Sequence, residues 1–314
     1  MNILITSSGR RVELVRLAKK ALSDCGEAGN VIAADACSTA PTSKFCDAFE
    51  IVPPISSPAY IDSLLEICSR RGVDILVPTI DTELPALAAA RSRFAAAGVL
   101  VNISSEKVVD ICNDKFKTSQ FFAENSIAAP KRYTCSASEI SAAELPLFVK
   151  PADGASSINT FRADTPKELE FFANYVPNAI VEEFVRGVEY SVDVFCDESA
   201  EPITIVPRRR IAVRAGEILK GRTERDADVI GASRKLVAAL KPFGHITLQC
   251  IKNARGVFFI EVNPRFGGGA PMSIMAGADS LANLIRLRRG EKLAYNENWR
   301  DSITFSRFDN SVIV

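Results

Sequence analysis

Over residues 1–104, short apolar runs alternate with stretches in which apolar residues recur every three or four positions. The runs at 2–6, 31–34, 49–52, 74–78 and 100–103 predict strands. The stretches at 12–22, 60–71 and 84–97 have helical spacing, as with Val12, Val15, Leu17, Ala18 and Leu22. Regular strand–helix alternation predicts a parallel sheet covered by helices on both faces. From 105 the pattern changes. Ser104-Ser105-Glu106-Lys107 opens an amphipathic helix to about 114. Further helices are expected at 115–125, 167–175, 227–240 and 280–288. Strands are expected at 147–150, 179–184, 189–196, 203–206, 246–251 and 257–262. That half reads as α+β with antiparallel strands.

At 314 residues the chain is long enough for two or three packed lobes. Lys plus Arg equals Asp plus Glu at 38 each, so no bulk field draws it to nucleic acid or a membrane. No apolar run reaches bilayer-spanning length. The opening Met-Asn-Ile-Leu-Ile-Thr reads as a strand rather than a signal peptide. The eight cysteines are scattered among apolar neighbours, which favours free buried thiols and a cytoplasmic location. The single histidine, His245, rules out a histidine-based zinc site or a two-histidine catalytic apparatus.

The turn Ser7-Ser8-Gly9-Arg10-Arg11 joins the first strand to the first helix, where parallel sheets bind ligands. With Asp35 ending the second strand, a dinucleotide-binding oxidoreductase enters as a rival. One glycine falls short of the three that close pyrophosphate approach requires, so a substrate or structural role is preferred.

The most specific stretch is Val257-Phe258-Phe259-Ile260-Glu261-Val262-Asn263-Pro264-Arg265-Phe266-Gly267-Gly268-Gly269. Glu261 and Asn263 share one strand face. Gln249, on an adjacent strand if 253–256 is the hairpin turn, reaches the same point. One carboxylate and two amides suit a hard cation that also binds phosphates, and Arg265 would offer its fork to an oxyanion.

This segment resembles the metal-binding strand of the ATP-grasp superfamily. It is especially similar to short proteins related to the carbamoyl-phosphate synthase large subunit and to the pyrrolysine-pathway ligase. The resemblance covers nearly the whole chain. It implies a Rossmann-like pre-ATP-grasp domain (1–104), a small ATP-grasp lobe (105–181) and a large lobe with a C-terminal tail (182–314). It implies Mg²⁺, with Mn²⁺ as a substitute ion, held by Gln249, Glu261 and Asn263, and ATP gripped by Lys115 and Lys150. Gln249 would contact the nucleotide as well. Glu182, Glu183, Phe184 and Val185 would form the adenine hinge, and Glu189 would take the ribose hydroxyls. Ser157 would lie in the loop at 152–160 that covers the phosphates. That loop keeps one glycine, Gly154, where relatives have two or three, although Asn159 tolerates left-handed geometry.

The basic run Arg208-Arg209-Arg210, Arg214, Lys220, Arg222 and Arg225 falls where similar ligases form the acyl phosphate. Strand alternation would place Arg210 and Arg214 on one face and Arg209 on the other. Arg265, with Arg214 and Lys220, is expected to stabilise the transferring phosphoryl group. His245 is read as structural, pointing away from the face that carries Gln249.

The expected function is therefore a Mg-ATP-dependent carboxylate–amine ligase of the amino-acid type, working through an acyl phosphate and releasing ADP and phosphate. Its partners would be a small carboxylate and an amine, with no nucleic acid or membrane, and the resemblance leaves room for a homodimer. A carboxyl or carbamoyl phosphotransferase, a nucleotide-binding module with weak catalysis, and the oxidoreductase stay as alternatives.

Overall fold

The computed structural model describes residues 1–133, 139–152 and 158–314. The first unit runs β1 (Asn2–Ile5), α1 (Val12–Asp24), β2 (Val31–Asp35), β3 (Ala48–Ile51), α2 (Tyr60–Arg71), β4 (Val73–Val77), α3 (Leu84–Ala89), α4 (Arg91–Ala96) and β5 (Leu100–Val101). Its five strands lie parallel in the order β3-β2-β1-β4-β5. Their continuous apolar runs follow from burial on both faces. The helix expected at 84–97 is broken at Ala90, with no glycine or proline to mark the break.

Next come α5 (Glu106–Asn113), α6 (Lys115–Glu124), β6 (Arg132–Tyr133), β7 (Leu147–Pro151), β8 (Phe161–Ala163), α7 (Pro166–Tyr175) and β9 (Ala179–Glu183). The strands form an antiparallel sheet, β6-β9-β7-β8, over a small core that includes Leu147, Val149, Leu169 and Val181. Thr165 caps α7 in a reciprocal box with Glu168.

The last unit contains β10 (Val188–Cys196), β11 (Pro202–Arg214), β12 (Glu217–Thr223), α8 (Ala227–Leu240), β13 (Gly244–Asn253), β14 (Gly256–Asn263), α9 (Ala270–Ala276), α10 (Ser280–Arg288) and β15 (Thr304–Ser306). Its antiparallel sheet has the order β14-β13-β10-β11-β12-β15. One face, with Val192, Val194, Ile246 and Leu248, packs on α8 residues such as Leu236 and Val237 and on Trp299. The other face carries Ser191, Asp193, Thr247 and Gln249 in register, Ser191 opposite Gln249 and Asp193 opposite Thr247. A shared core joins the first and last units, with Ile3, Val15 and Ala18 packed with Phe195, Phe266, Ile274 and Leu281. Among the described residues, no helix is long and apolar enough to cross a membrane.

Candidate functional site

The three units enclose a cleft of about 940 Å³. Lys115, Lys150, Glu182, Glu183, Phe184, Val185, Glu189, Gln249, Glu261, Asn263 and Arg265 all line it. Lys150 Nζ lies 2.6 Å from Glu182 Oε2, and both side chains are about nine-tenths buried. β9 ends at Glu183, whose N–H donates to the Lys131 carbonyl at 2.8 Å. Its carboxylate turns away to Arg255, so Glu183 faces the cleft through its backbone rather than its charge. Phe184 stands against Phe148, with ring centroids 6.3 Å apart. Gly187 lies so close to β13 that a Cβ there would be 2.3 Å from the Lys252 carbonyl oxygen. Only glycine lets the segment after the hinge approach this closely.

Beyond the hinge, Glu189 Oε1 is 3.2 Å from Arg210 Nε. Burial raises the Glu189 pKa, Arg210 opposes that rise and Glu261 adds to it. Gln249 and Glu261 are register partners, and Gln249 Nε2 donates to Glu261 Oε2 at 2.6 Å. Gln249 Oε1 accepts from Arg210 Nη1 at 3.0 Å. Asn263 Oδ1 accepts from Arg265 Nη2 at 3.2 Å, and the same guanidinium pairs with Asp81 in the loop after β4. Among the described residues, no group of three or more His, Cys, Asp or Glu is arranged to hold a metal ion. A cation here must therefore rely on one carboxylate, amide oxygens and a ligand's phosphates. That hard-oxygen donor set fits Mg²⁺, and Gln249 Oε1, which accepts one bond from Arg210, has a second lone pair to offer.

Several expectations need correction. Arg214 is exposed and forms a bidentate pair with Asp309 at 2.7 and 2.8 Å, outside the cleft. Irregular pairing between Arg210 and Val213 breaks the alternation that would have kept Arg214 on the face of Arg210. Lys220 is exposed on β12 opposite Ser306 and does not line the cleft either. Ser157 lies outside the described residues. Asn159 does adopt a left-handed conformation, at φ 55°. His245 is opposite Phe195 and so shares the face of Thr247 and Gln249 rather than pointing away from it. What removes it from the cleft is cover. It is fully buried, stacked on Phe266 at 4.1 Å and bonded through Nδ1 to Ser280 Oγ at 2.9 Å.

Other residues at the site were named from the sequence only within longer runs, or not at all. Arg208 is 1% exposed and donates to both Asp193 oxygens at 2.8 and 2.9 Å. Thr247 and Ser273 hydroxyls donate to the same carboxylate at 2.9 and 2.6 Å. Arg11, from the first strand–helix turn, donates to Glu217 Oε1 at 3.2 Å across the cleft wall. Asp35 is committed to that turn, accepting from Gly9 N at 2.7 Å and Cys37 N at 2.9 Å. Glu83 is fully buried, accepting from Tyr60 at 2.7 Å and Thr79 N at 2.9 Å, and so shapes the loop that carries Asp81. Alternation along β11 was a usable signal for Arg210, which shares the face of Arg208, the partner of Ser191 and through it of Gln249. Asp193 fell in the stretch Ser191-Val192-Asp193 that continues the family pattern, but nothing local marked Glu217 or Asp81.

Comparison with known proteins agrees with this geometry. A family model for the N-terminal domain of PylC-like proteins matches residues 3–102, and one for the ATP-grasp domain matches 112–269. Carbamoyl-phosphate synthase of Methanobrevibacter smithii is 23% identical over 143 residues, 44% of this chain and 39% of that protein. D-alanine–D-alanine ligase of Haemophilus ducreyi is 37% identical over 67 residues, 20% of this chain and 22% of that one. The matches thus span less than two fifths of either relative's length. Among solved structures, the biotin carboxylase–β,γ-ATP complex from Campylobacter jejuni superposes with a TM-score of 0.75 at 16% identity, covering 96% of this chain and 74% of that one.

Proposed function

Because the chain belongs to the ATP-grasp family, we propose that it is a Mg-ATP-dependent carboxylate–amine ligase that works through an acyl phosphate. The observation that carries this reading is the convergence of Lys150, Gln249, Glu261, Asn263 and Arg265 on one cleft that also holds the hinge. Lys115 and Lys150 bind phosphate oxygens as movable point charges. The backbone at 183–185 meets the adenine edge, and Glu189 accepts from the ribose hydroxyls. Glu261, Asn263 and Gln249 would hold Mg²⁺, which would supply charge neutralisation for the phosphates. Arg265, fixed by Asp81 and Asn263, and Arg210 face the transferring phosphoryl group.

The substrate carboxylate attacks the γ-phosphorus, the bond to the bridging oxygen breaks, and ADP leaves. A neutral amine then attacks the acyl carbon, phosphate departs, and the amine's extra proton is released. No side-chain nucleophile takes part. We assign the lobes to 1–104, 105–181 and 182–314, the location to the cytoplasm and the assembly to a homodimer, with Mn²⁺ as an alternative ion.

The test is hydroxylamine trapping. With Mg-ATP, the acid and hydroxylamine in place of the amine, hydroxamate should form in step with ADP. AMP and pyrophosphate in place of ADP would mean adenylation, and ADP without hydroxamate from any acid would remove the acyl phosphate.

A further inference from the structure

The carboxylates that line the cleft are those of Asp81, Glu182, Glu183, Glu189, Glu217 and Glu261. Asp81 is paired with Arg265, Glu182 with Lys150, Glu183 with Arg255, Glu189 with Arg210 and Glu217 with Arg11. Among the described residues, Glu261 alone of these has no basic side chain paired with it. The backbone aims it deliberately. Gln249 is opposite Glu261 while Cys250 is opposite Phe259, so Ile260 is an extra residue in β14. That bulge turns Glu261 onto the face of Gln249. The cleft therefore presents one carboxylate whose charge is still free to meet a metal ion.

The amides on either side of Glu261 are oriented by their partners. An arginine can only donate and an ionised carboxylate can only accept. Gln249 therefore turns Oε1 to Arg210 Nη1, at 3.0 Å, and Nε2 to Glu261 Oε2, at 2.6 Å. Asn263 likewise turns Oδ1 to Arg265 Nη2, at 3.2 Å. Each amide oxygen keeps one lone pair, and Glu261 Oε2 already accepts a bond. Two octahedral ions would need about a dozen oxygen positions between them. These residues offer too few for a second ion, and a guanidinium already stands on each amide. Arg210 is also firmly held. Its side chain is 5% exposed, and it donates to Ser191 Oγ at 3.3 Å and to the Gly216 carbonyl at 2.8 Å.

We propose, resting on the Mg-ATP reading above, that the cleft binds one divalent ion with its nucleotide rather than two, and that Arg210 is a built-in cation in place of the second. Glu261 gives the single ion its carboxylate, and the remaining lone pairs of Gln249 and Asn263 complete the protein's share. Arg210 spans the gap between Glu189 and Gln249, so one fixed positive charge joins the ribose end of the site to the metal end. A guanidinium does not exchange with the medium as an ion does. Once all the ATP carries Mg²⁺, further free Mg²⁺ has no second site to fill.

The experiment counts bound Mn²⁺ by electron paramagnetic resonance on the whole chain, saturated with an ATP analogue whose β,γ bond cannot be cleaved. Wild type should hold one Mn²⁺ per chain and show no coupling between ions, whereas ions in a shared two-metal site lie about 3.5–4 Å apart and couple strongly. Gln249→Glu alone should stay at one ion, because Arg210 pairs with the new carboxylate. The double variant Arg210→Met, Gln249→Glu removes the fixed cation and frees that carboxylate, so its count should rise to two, with coupling. Should the double variant fail to fold, the wild-type count still decides. Two coupled ions in wild type, two in Gln249→Glu alone, or one in a folded double variant that still binds the analogue overturns this inference and leaves the ligase reading standing. No Mn²⁺ bound with the analogue overturns both.

Discussion

Asp193→Asn should destabilise the large lobe by about 3–5 kcal/mol, the range for removing one partner of a buried ion pair. The replacement keeps the shape and removes only the charge. Arg208, 1% exposed and bonded to both carboxylate oxygens, would then be a buried cation without a counter-ion. The Thr247 and Ser273 hydroxyls would compete for the single remaining acceptor. Trp299 is the chain's one tryptophan and is buried in the core that holds Val192 and Val194, so its fluorescence in a denaturant titration reports this lobe. The corresponding drop in melting temperature is roughly 6–20 °C, at about 2–4 °C per kcal/mol for a unit of this size. The pH dependence sharpens the test. Burial alone would raise the Asp193 pKa, but Arg208 outweighs it with help from His245, and the carboxyl is held well below its ordinary value. A lowered folded pKa contributes stability above the unfolded value, near 3.9, and that contribution is lost as pH falls below it. The gap between wild type and variant should thus be full at pH 7 and shrink below about pH 4. A gap under about 1 kcal/mol at pH 7, or one that does not change with pH, would refute the reasoning.

The other substitutions probe the cleft directly. Glu261→Gln, which removes charge without volume, should lower Mg-ATP turnover by about tenfold or more, and normal ADP release in that variant would sink the metal assignment. Glu189→Ala should raise the KM for ATP more than it lowers kcat, because a ribose contact is made equally in ground and transition states. A pure kcat effect would move Glu189 to the chemistry.

What was legible in the sequence divides along physical lines. The parallel sheet was readable because its strands are buried on both faces, and helices α2, α8 and α10 fall at the predicted 60–71, 227–240 and 280–288. That Lys115, Lys150, residues 182–185, Glu189, Gln249, Glu261 and Asn263 would meet in one cleft was readable, because short backbone motifs fix their geometry. The β11–β12 hairpin was not. Ile203–Val206 and the apolar Ile211–Val213 suggested strand within β11, but the surrounding arginines and lysines obscured its length and the whole of β12. The error about Arg214 follows from an irregularity of pairing that residue types do not announce. The error about His245 was one of parity, since 245, 247 and 249 share a face on any regular strand. Asp81 and Glu217 were missed because their meaning lies in partners distant in the chain, Arg265 and Arg11.

Those distant pairs also bear on what the N-terminal unit contributes to the cleft. Residues 182–185, Lys115, Lys150, Gln249, Glu261 and Asn263 all fall within the stretch that the ATP-grasp model matches, 112–269. Asp81, which steers Arg265, and Arg11, which meets Glu217, come from loops at the carboxyl ends of β4 and β1. Loops there can differ in sequence while the sheet beneath stays fixed. The shared core of Ile3, Val15, Phe195, Phe266 and Leu281 fixes those loops against the glycine-rich segment. Gly268 and Gly269 then let Arg11, Glu217 and Arg208 approach the loop backbone more closely than any side chain would permit. Two loops of the N-terminal unit and the β11–β12 hairpin therefore shape one wall of the cleft beside the residues of β13 and β14.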